Sequence, residues 1–438
     1  MKHILEEVKK FVEEKNTKKV WVEGKDFVNY AGPYFNSDEI VSATETLLNG
    51  WLVMGDKCLR FEREFPKQFG KENGILTNSG SSSNLLMMAS LTSKRGYNFP
   101  KGTKVLMPIA GFPTTLNPTL QMGFEPVFLD IELDTLNLDL TKAEDLIKEH
   151  DIKVMTFAHV LGNPPNMDAV MDLVKKYNLV LLEDCCDALG STYDGKPLGS
   201  FGEMASCSFY PAHHMTMGEG GYVACKTYEQ EIILRSLREW GRGCYCVGPE
   251  ANKLKCGTCG KRFNEWIPTM PGEIFDHKYV YDEIGYNLKP IEVQGAMGLH
   301  QLEKLPEIHS LRRRNYKLLF NIYSKYEEFF HLPRPQDKSD PSWFAFPLTI
   351  RQGAPFTRTD IVDYLEENLI QTRPYFAGNI MLQPAYSHIM DPALAKSEFP
   401  VATHVMTHTY FHGTSPVITP EQIAYIGKNV DGFMSLFI

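Results

Sequence analysis

The sequence lacks a basic excess, a long apolar run and the unbroken apolar segment of a signal peptide. Its 438 residues carry 45 Lys and Arg against 54 Asp and Glu, a formal net charge of −9 at pH 7. A chain with this charge balance has little to neutralise phosphates, which argues against a general nucleic-acid or membrane-surface binder. No apolar run approaches the roughly 18 residues that a membrane span needs. Residues 1–20 form an amphipathic pattern interrupted by charges, so we expect a cytoplasmic protein without nucleic-acid or membrane partners.

The nine cysteines do not indicate a disulfide framework, because thiols stay reduced in the cytoplasm. They are therefore either buried small side chains or metal ligands. Four of them crowd into sixteen positions: Cys244, Cys246, Cys256 and Cys259. Two close pairs of thiols suit tetrahedral Zn²⁺, and four thiolates equally suit an iron–sulfur cluster. The spacing alone leaves both metals open.

The middle of the chain alternates short apolar segments with amphipathic ones. We predict strands at 74–77, 104–107, 126–129, 153–158 and 179–182, with helices between them, which indicates an α/β fold with a mainly parallel sheet covered on both faces. From about residue 287 the pattern changes to a long amphipathic helix, followed by short strands and helices. We therefore predict a helical extension at 1–30, a large domain at 31–300 with a cysteine-rich insertion at about 241–275, and a small α+β domain at 301–438.

Three segments follow predicted strands and carry polar side chains. Residues 78–84 (Asn-Ser-Gly-Ser-Ser-Ser-Asn) precede a helix, where backbone N–H groups and the helix dipole favour an anion such as phosphate. A plain helix cap explains them too. Asp184 closes an apolar strand, at the strand end where ligands of parallel sheets bind, although a capping role is equally open. The adjacent His213 and His214 are metal ligands, acid/base groups or ordinary loop residues.

Taken together, the order and spacing of these segments resemble the fold-type I pyridoxal-phosphate enzymes and, within them, the sugar-nucleotide aminotransferase family. The resemblance runs from about residue 30 to the C-terminus and implies a seven-stranded sheet, pyridoxal or pyridoxamine phosphate (PMP) as cofactor, and a homodimer. By resemblance, the phosphate is held at Gly80, Ser81 and Ser82, Phe112 stacks on the pyridine ring, and Asp184 pairs with its nitrogen. The resemblance also assigns Asp187 and Ser208 to the cofactor site, and Asn287 to the cofactor of the second subunit.

One position departs from the family pattern. His213 stands where the family's Ser-Phe-x-Pro-x-Lys segment carries the lysine that forms a Schiff base with the cofactor. Imidazole forms no such bond, but it transfers protons near neutral pH. We therefore expect PMP to condense with a keto sugar, and His213 to remove a proton from C4′ of the cofactor. The cofactor ring takes up the electrons, and a neighbouring hydroxyl leaves.

The histidine and the cysteines together resemble the CDP-4-keto-6-deoxyglucose 3-dehydratase family of 3,6-dideoxysugar and lipopolysaccharide O-antigen biosynthesis. That resemblance implies a sugar-nucleotide substrate, a [2Fe–2S] cluster, and a flavin- and iron–sulfur-containing NAD(P)H-dependent reductase as electron donor. It also implies four ligands, namely Cys186, Cys244, Cys246 and Cys259. As in that family, 57 residues separate Cys186 from Cys244, and a Gly-Lys-Arg-Phe segment follows Cys259. The gap before Cys259 is longer here, and Cys256 competes for the fourth position.

Three other interpretations remain open. One is a cluster-free, PMP-dependent GDP-4-keto-6-deoxymannose 3-dehydratase with a structural zinc, and another is a regulatory protein with a decayed aminotransferase fold. The third is a purely structural zinc protein. The segment 373–379 resembles the family's substrate side. His404, His408 and His412 recur at every fourth position, so they share one face if that segment is a strand.

Overall fold

The computed structural model describes residues 1–18, 20–244, 246 and 255–438. The α-helices are α1 (Lys2–Lys18), α2 (Ser37–Asn49), α3 (Asp56–Glu64), α4 (Gly80–Ser90), α5 (Pro113–Gln121), α6 (Ala143–His150), α7 (Met167–Tyr177), α8 (Tyr228–Arg238), α9 (Glu292–Tyr323), α10 (Arg358–Glu367), α11 (Pro392–Glu398), α12 (Pro400–His408) and α13 (Pro420–Met434). The strands are β1 (Asn73–Thr77), β2 (Lys104–Pro108), β3 (Glu125–Leu129), β4 (Val154–Ala158), β5 (Val180–Asp184), β6 (Thr192–Tyr193), β7 (Lys196–Pro197), β8 (Met204–Ser208), β9 (Gly221–Cys225), β10 (Phe263–Asn264), β11 (Phe275–Asp276), β12 (Phe330–His331), β13 (Ser339–Asp340), β14 (Ala345–Ile350), β15 (Arg373–Pro374) and β16 (Thr409–Gly413). Within this described part of the chain, every helix is too short or too polar to span a bilayer.

A seven-stranded sheet lies at the centre of the molecule, in the order β1-β9-β8-β5-β4-β2-β3. Strand β9 runs antiparallel to both of its neighbours, whereas the remaining pairs are parallel. This architecture confirms the predicted mainly parallel seven-stranded sheet. The five strands predicted from short apolar runs are each found within one residue or two of their expected bounds.

The alternation of side chains along these strands builds a core on each face of the sheet. Ile75 and Val154 pack on one face with the apolar side of α4, while Leu76 and Met155 pack on the other with Phe61 of α3. Successive residues of a strand point to opposite faces of the sheet, so a strand that is apolar at every position is buried on both faces. The carboxyl ends of the parallel strands are thereby held at one edge, where the polar segments lie.

A second sheet, β12-β14-β16-β15, is built from the C-terminal part of the chain. The 32-residue helix α9 joins its core to the rest of the molecule. Near the start of α9, a Cβ on Gly295 would lie 2.6 Å from the backbone nitrogen of Cys58, so α3 and α9 approach closely there. Near its end, Leu319 and Tyr323 pack in the core of the second sheet. The predicted domain boundary at residue 301 falls inside this continuous helix, and the division into domains stays a prediction.

The three histidines at every fourth position do not share a strand. His404 and His408 belong to α12, with their rings 4.0 Å apart, while His412 lies in β16 and its Nε2 is 2.6 Å from the Tyr323 hydroxyl. The helix forms because Pro400 occupies its first turn, where a missing N–H costs nothing, and because Ala402 and Val405 bury one helical face.

Candidate active site

A cavity of about 320 Å³ opens at the carboxyl ends of β2, β4, β5 and β8. Its wall includes most of the residues predicted from the sequence: Gly80, Ser81, Phe112, Asp184, Cys186, Asp187, Ser208 and His213. Ser82 lines an adjoining recess that shares several of these residues. The structure thus brings residues from four distant parts of the sequence to the edge of the sheet where parallel-strand proteins bind ligands.

The first turn of α4 forms one end of the cavity. Ser79 caps the helix, since its Oγ accepts the Ser82 amide at 3.1 Å and lies 3.0 Å from the Ser82 hydroxyl. Gly80 lies directly against β8, and a Cβ there would be 2.4 Å from the Cβ of Ser208. The first amides of a helix have no partner within it, and the helix dipole favours negative charge at this end. Gly80, Ser81 and Ser82 could therefore serve as a cradle for a phosphate group.

Asp184 lies at the end of β5 with 5% of its surface exposed. Its Oδ2 accepts hydrogen bonds from Asn84 and from Thr115, both at 2.8 Å. Its Oδ1 accepts the amide of Cys186 at 3.1 Å. These donors fix the carboxylate in the cavity wall, where it can pair with a protonated ring nitrogen.

His213 faces the cavity from the loop after β8. Its Nδ1 lies 3.4 Å from a carboxylate oxygen of Asp187 and has no hydrogen-bond partner among the described residues. Burial raises the pKa of Asp187, although the neighbouring imidazole opposes this shift. Because Nδ1 is turned to Asp187, the second ring nitrogen, Nε2, is left to exchange a proton with a bound molecule.

The adjacent His214 does not share this role. It is buried, and its Nε2 lies 2.6 Å from the carbonyl oxygen of Ser342. Burial lowers its pKa well below the usual value, so the ring is neutral in the folded protein. Of the two histidines that the sequence left open, only His213 lines the cavity.

Arg312 supports the His213 loop, and the sequence analysis did not identify it. This fully buried side chain of α9 donates to the carbonyls of Ala212 and His213 at 3.2 and 2.9 Å. It also donates to the carbonyls of Trp343 and Phe344. Burial lowers its pKa to about 9, while Asp187 acts in the opposite direction. The signal in the sequence is its place on the buried face of α9, which continues as Leu305, Ile308, Arg312, Asn315 and Leu319.

Aromatic and cationic side chains line the cavity together with aliphatic ones. Phe112 is 52% exposed and packs edge-on against Phe376 at 6.0 Å, so one side of its ring is open to a ligand. The Arg373 guanidinium lies 4.4 Å from the centre of the Tyr30 ring. Both belong to the cavity, which supports the expectation that segment 373–379 contacts substrate. Asn379, by contrast, is buried and bonded to Ala395 and Thr403.

Asn287 lies outside the cavity. It is exposed, and its Oδ1 accepts a hydrogen bond from Lys289 at 2.8 Å. Its predicted contact with the cofactor of a second subunit stays a prediction.

Three of the four predicted metal ligands lie around a histidine. Thiol sulfurs of Cys244 and Cys246 and a ring nitrogen of His277 all lie within 4.8 Å of one another, and the Cys259 sulfur is 3.8 Å from His277 Nε2. Cys186 is not part of this group, since its sulfur lies in the cavity wall, 4.0 Å from the Ser206 hydroxyl. The cysteine-rich insertion is described only in part, because residues 245 and 247–254 lie outside the described ranges.

The thiols of this group differ in acidity. Burial raises the pKa of Cys246, but hydrogen bonds from Thr258 and from the backbone of Cys259 outweigh burial and lower it. Burial raises the pKa of Cys244 to about 11. A cation at this position would favour the thiolate form of each cysteine, which is the form that binds metals.

The residues of the cavity fit pyridoxamine phosphate. The phosphate cradle at α4, the buried Asp184 carboxylate and the open ring of Phe112 match the three chemically distinct parts of this cofactor. With its Nδ1 beside Asp187, His213 can offer Nε2 as a base at the position of the family's lysine.

Comparisons with known proteins agree with this site. The model of the DegT/DnrJ/EryC1/StrS aminotransferase family matches residues 33–431. The lipopolysaccharide biosynthesis protein RfbH of Salmonella typhimurium is 39% identical over 98% of this chain and 97% of its own. The dTDP-4-dehydro-2,6-dideoxy-D-glucose 3-dehydratase of Saccharopolyspora spinosa is 39% identical over 95% of this chain and 88% of its own. The solved structure of E. coli GDP-4-keto-6-deoxy-D-mannose-3-dehydratase with bound hydrated PLP superposes with a TM-score of 0.77 at 26% identity. The superposition covers 92% of this chain and 99% of the E. coli chain. These likenesses confirm the fold-type I architecture.

Proposed function

Because the chain belongs to the DegT/DnrJ/EryC1/StrS aminotransferase family of sugar-modifying enzymes, we propose that it is a PMP-dependent 3-dehydratase of a nucleotide-linked 4-keto-6-deoxyhexose. The observation that carries this proposal is His213 at the position of the family's lysine. It faces the cavity with its Nδ1 beside Asp187. A histidine there transfers protons without bonding to the cofactor, which favours dehydration over transamination.

Bound PMP would supply an amine that condenses with a keto sugar and a ring that accepts electrons. The chain's own residues then have separate tasks. Gly80, Ser81 and Ser82 would hold the phosphate, and Asp184 would keep the ring nitrogen protonated. Phe112 and Ser208 would contact the ring from the cavity wall.

His213 acts as the base in this proposal. Its Nε2 removes a proton at C4′, and Asp187 holds the opposite nitrogen and stabilises the charge that forms on the imidazole. The hydroxyl at C3 of the sugar would then leave, and the proton taken up by His213 would convert it to water. The buried Arg312 keeps the backbone of His213 in place through its carbonyl.

The substrate we propose is CDP-4-keto-6-deoxyglucose, in the synthesis of 3,6-dideoxysugars of the lipopolysaccharide O-antigen. The similarity to a lipopolysaccharide biosynthesis protein supports this pathway. Two 3-dehydratases among the relatives carry dTDP and GDP sugars in their names, so the nucleotide is a variable feature of related enzymes. A panel of CDP-, dTDP- and GDP-linked 4-keto-6-deoxyhexoses distinguishes them directly.

We further propose that a [2Fe–2S] cluster at the cysteine-rich loop takes part in a reductive step. A separate flavin- and iron–sulfur-containing NAD(P)H-dependent reductase would supply the two electrons that complete the deoxygenation at C3. The grouping of Cys244, Cys246 and Cys259 around His277 supports a metal centre there. We also propose a homodimer, in which Asn287 contacts the cofactor site of the other subunit.

The decisive experiment follows hydrogen exchange at C4′ of PMP in anaerobically purified protein supplied with the sugar panel. Wild-type protein should exchange C4′ hydrogen with solvent in the presence of the sugar that it accepts. His213→Asn should bind PMP but lose exchange by at least 100-fold, as expected when a general base is removed. His388→Asn, an exposed histidine outside the cavity, is the matched control. Full exchange in the His213→Asn protein would overturn the proposal.

The companion variant His213→Lys restores the family's residue. With pyridoxal phosphate it should give the visible absorption band of a lysine Schiff base. The absence of that band in a folded variant would contradict the position assigned to this side chain.

The main rival is a cluster-free 3-dehydratase acting on a GDP-linked sugar, with zinc at the cysteines. The likeness to the E. coli enzyme favours it. One zinc per chain, no iron, and turnover of the GDP sugar without a reductase would select this rival.

A further inference from the structure

An arc of aromatic side chains lines the cavity between Phe112 and the candidate base. In order, the arc consists of Phe112, Phe376, Phe411, Phe344 and the imidazole of His213. The centres of successive rings are 6.0, 6.0, 6.3 and 5.2 Å apart. At these distances each ring packs against the next. The arc is therefore one continuous apolar surface that ends at the base.

The second sheet supplies the middle of the arc. Phe411 lies in β16, opposite Pro347 of β14, and Phe344 directly precedes β14. The Phe344 amide donates to the carbonyl of Leu161 at 2.8 Å. Phe344 and Phe411 are only 7% and 3% exposed, and both line the cavity. These two rings are therefore held in place by packing while one edge of each remains open to a ligand.

Phe376 holds its place in the arc with a strained backbone. Its φ is +40°, in a region that bulky residues seldom adopt. Its amide donates to the carbonyl of Pro374 at 2.8 Å, and the next amide, that of Ala377, donates to the carbonyl of Gly111 at 3.1 Å. Strain of this kind persists where the surrounding structure enforces it, and it is frequent at ligand sites. The strain therefore supports a role for Phe376 in binding.

Open space and a cation lie beside the arc. Gly111 also lines the cavity, and a Cβ on it would meet no atom of the described residues within 4 Å. Next to Phe411, the Tyr30 ring lies 6.3 Å away and carries the Arg373 guanidinium on its face. The cavity thus offers an apolar surface near the base and a positive charge farther along. This arrangement matches a ligand with an apolar part and an anionic part.

The proposed substrate has one such apolar part, the methyl group at C6 of the sugar. C6 is two bonds from C4, the carbon that would react beside His213, so the methyl group must lie close to the base. The ring in the arc next to His213 is Phe344. Phenylalanine has no hydrogen-bonding group in its side chain. A hydroxyl at C6 would therefore lose water at this surface without gaining a side-chain partner.

We infer that Phe344, Phe376 and Phe411 form the subsite for the C6 methyl group and select a 6-deoxyhexose over a hexose with a hydroxyl at C6. The inference rests on the proposed function and makes these three residues determinants of specificity. An apolar pocket rejects an added hydroxyl by at most about 100-fold. We therefore expect a preference of about 10- to 100-fold for the 6-deoxy sugar.

The test is calorimetric titration of the full-length, PMP-loaded protein with pairs of nucleotide sugars that differ only at C6. The pairs are CDP-6-deoxyglucose with CDP-glucose, dTDP-6-deoxyglucose with dTDP-glucose, and GDP-6-deoxymannose with GDP-mannose. None carries a keto group, so binding is measured without reaction. In the pair that binds most tightly, the 6-deoxy member should bind at least about 10-fold more tightly than its partner. Equal affinities within that pair, or no binding of any pair, would overturn the inference.

Two variants test the arc itself. Phe411→Tyr adds a hydroxyl to the arc, which offers a C6 hydroxyl a partner, and should reduce the preference to below about threefold. Phe376→Leu removes apolar area and should weaken binding of the 6-deoxy sugar by about fivefold or more. Its PMP affinity, measured by equilibrium dialysis, should change less than about twofold.

The matched control is Phe128→Tyr. Phe128 is 8% exposed and belongs to the same core cluster as Phe344 and Phe411, but it does not line the cavity. This variant should keep the wild-type preference. A wild-type preference in folded Phe411→Tyr would overturn the inference. If Phe411→Tyr does not fold, wild-type affinity in Phe376→Leu would overturn it instead.

The inference and the proposed function fail separately. Calorimetry needs no turnover, so equal affinities within a pair would remove the subsite and leave C4′ exchange and the role of His213 untouched. A 6-deoxy preference in a protein that exchanges no C4′ hydrogen with any keto sugar would do the reverse. The methyl subsite would then stand, and the dehydratase reaction would fall.

Discussion

Replacing Arg312 tests whether a buried cation of α9 positions the candidate base. The guanidinium donates to four carbonyls, two in the His213 loop and two at the start of β14. Arg312→Met keeps most of the side-chain volume but removes this donor, and among the described residues only the Trp343 carbonyl has a second one, the Thr414 hydroxyl at 2.6 Å. At about 1 kcal/mol for each of the other three carbonyls, the cost reaches about 3 kcal/mol. Removing a fully buried charge recovers part of this, so we expect a net loss of about 1–3 kcal/mol in the free energy of unfolding.

Arg312→Met should reduce C4′ hydrogen exchange more than it reduces PMP affinity. Without Arg312, the carbonyl of His213 is no longer held, and a base misplaced by a fraction of an ångström loses rate steeply. We expect C4′ exchange to fall at least 10-fold while PMP affinity changes less than threefold. Arg312→Lys, which keeps the charge and some donors, should recover part of both losses.

The control for this experiment is Arg351→Met. Arg351 also donates to backbone carbonyls, those of Glu327 and Phe330, but it lies in the second sheet away from the cavity. The Arg351→Met variant should lower the urea midpoint of unfolding modestly and leave C4′ hydrogen exchange unchanged. An Arg312→Met protein with the wild-type midpoint and wild-type exchange would refute the argument that this guanidinium holds the loop.

Two further predictions follow from buried groups. Burial lowers the pKa of His309 and of His412 to about 3 and that of His214 well below its usual value. The unfolded chain therefore binds more protons than the folded one between about pH 3 and 6.5, so the free energy of unfolding should fall as the pH drops from 7 to 5. The slope should be smaller in His412→Gln, and an unchanged slope in that variant would contradict the prediction. Gly80→Ala places a Cβ 2.4 Å from that of Ser208 and should weaken PMP binding at least 10-fold by equilibrium dialysis, with partial recovery in Gly80→Ala/Ser208→Gly; wild-type affinity in Gly80→Ala would contradict the close approach.

The strands and the cavity could be predicted because their signals are local. A short apolar run such as residues 180–184 is buried on both faces of a parallel sheet, and its polar end residue lies at the ligand edge. The same reasoning singled out the polar segment after β1 and the two histidines after β8, and the resemblance to the family supplied their predicted roles. These segments need only their own sequence and their order along the chain.

Residues that act through distant contacts could not be predicted in this way. The partners of Arg312 lie about 30 and 100 positions away, and a run of three arginines resembles an exposed helical face. His277 was missed because it lies apart from the cysteines in the sequence, and the hairpin of β10 and β11 is what turns it towards them. The β-branched neighbours of His404 and His408 favour a strand, which is why a strand was considered for this segment. Tertiary packing and Pro400 instead produce a helix there.

The helix α9 has a mechanical consequence for the whole molecule. At 1.5 Å per residue, its 32 residues form a rod about 48 Å long. One end of the helix packs in the core of the central sheet and the other in the core of the second sheet. Arg312, which binds the carbonyl of His213, lies between these ends. Pro306 lies before Arg312, so the stretch from Arg312 to Tyr323 is free of proline and can transmit displacement along its length. A structural change in the second sheet should therefore displace the His213 imidazole. The two hydrophobic cores should unfold in one transition rather than in two.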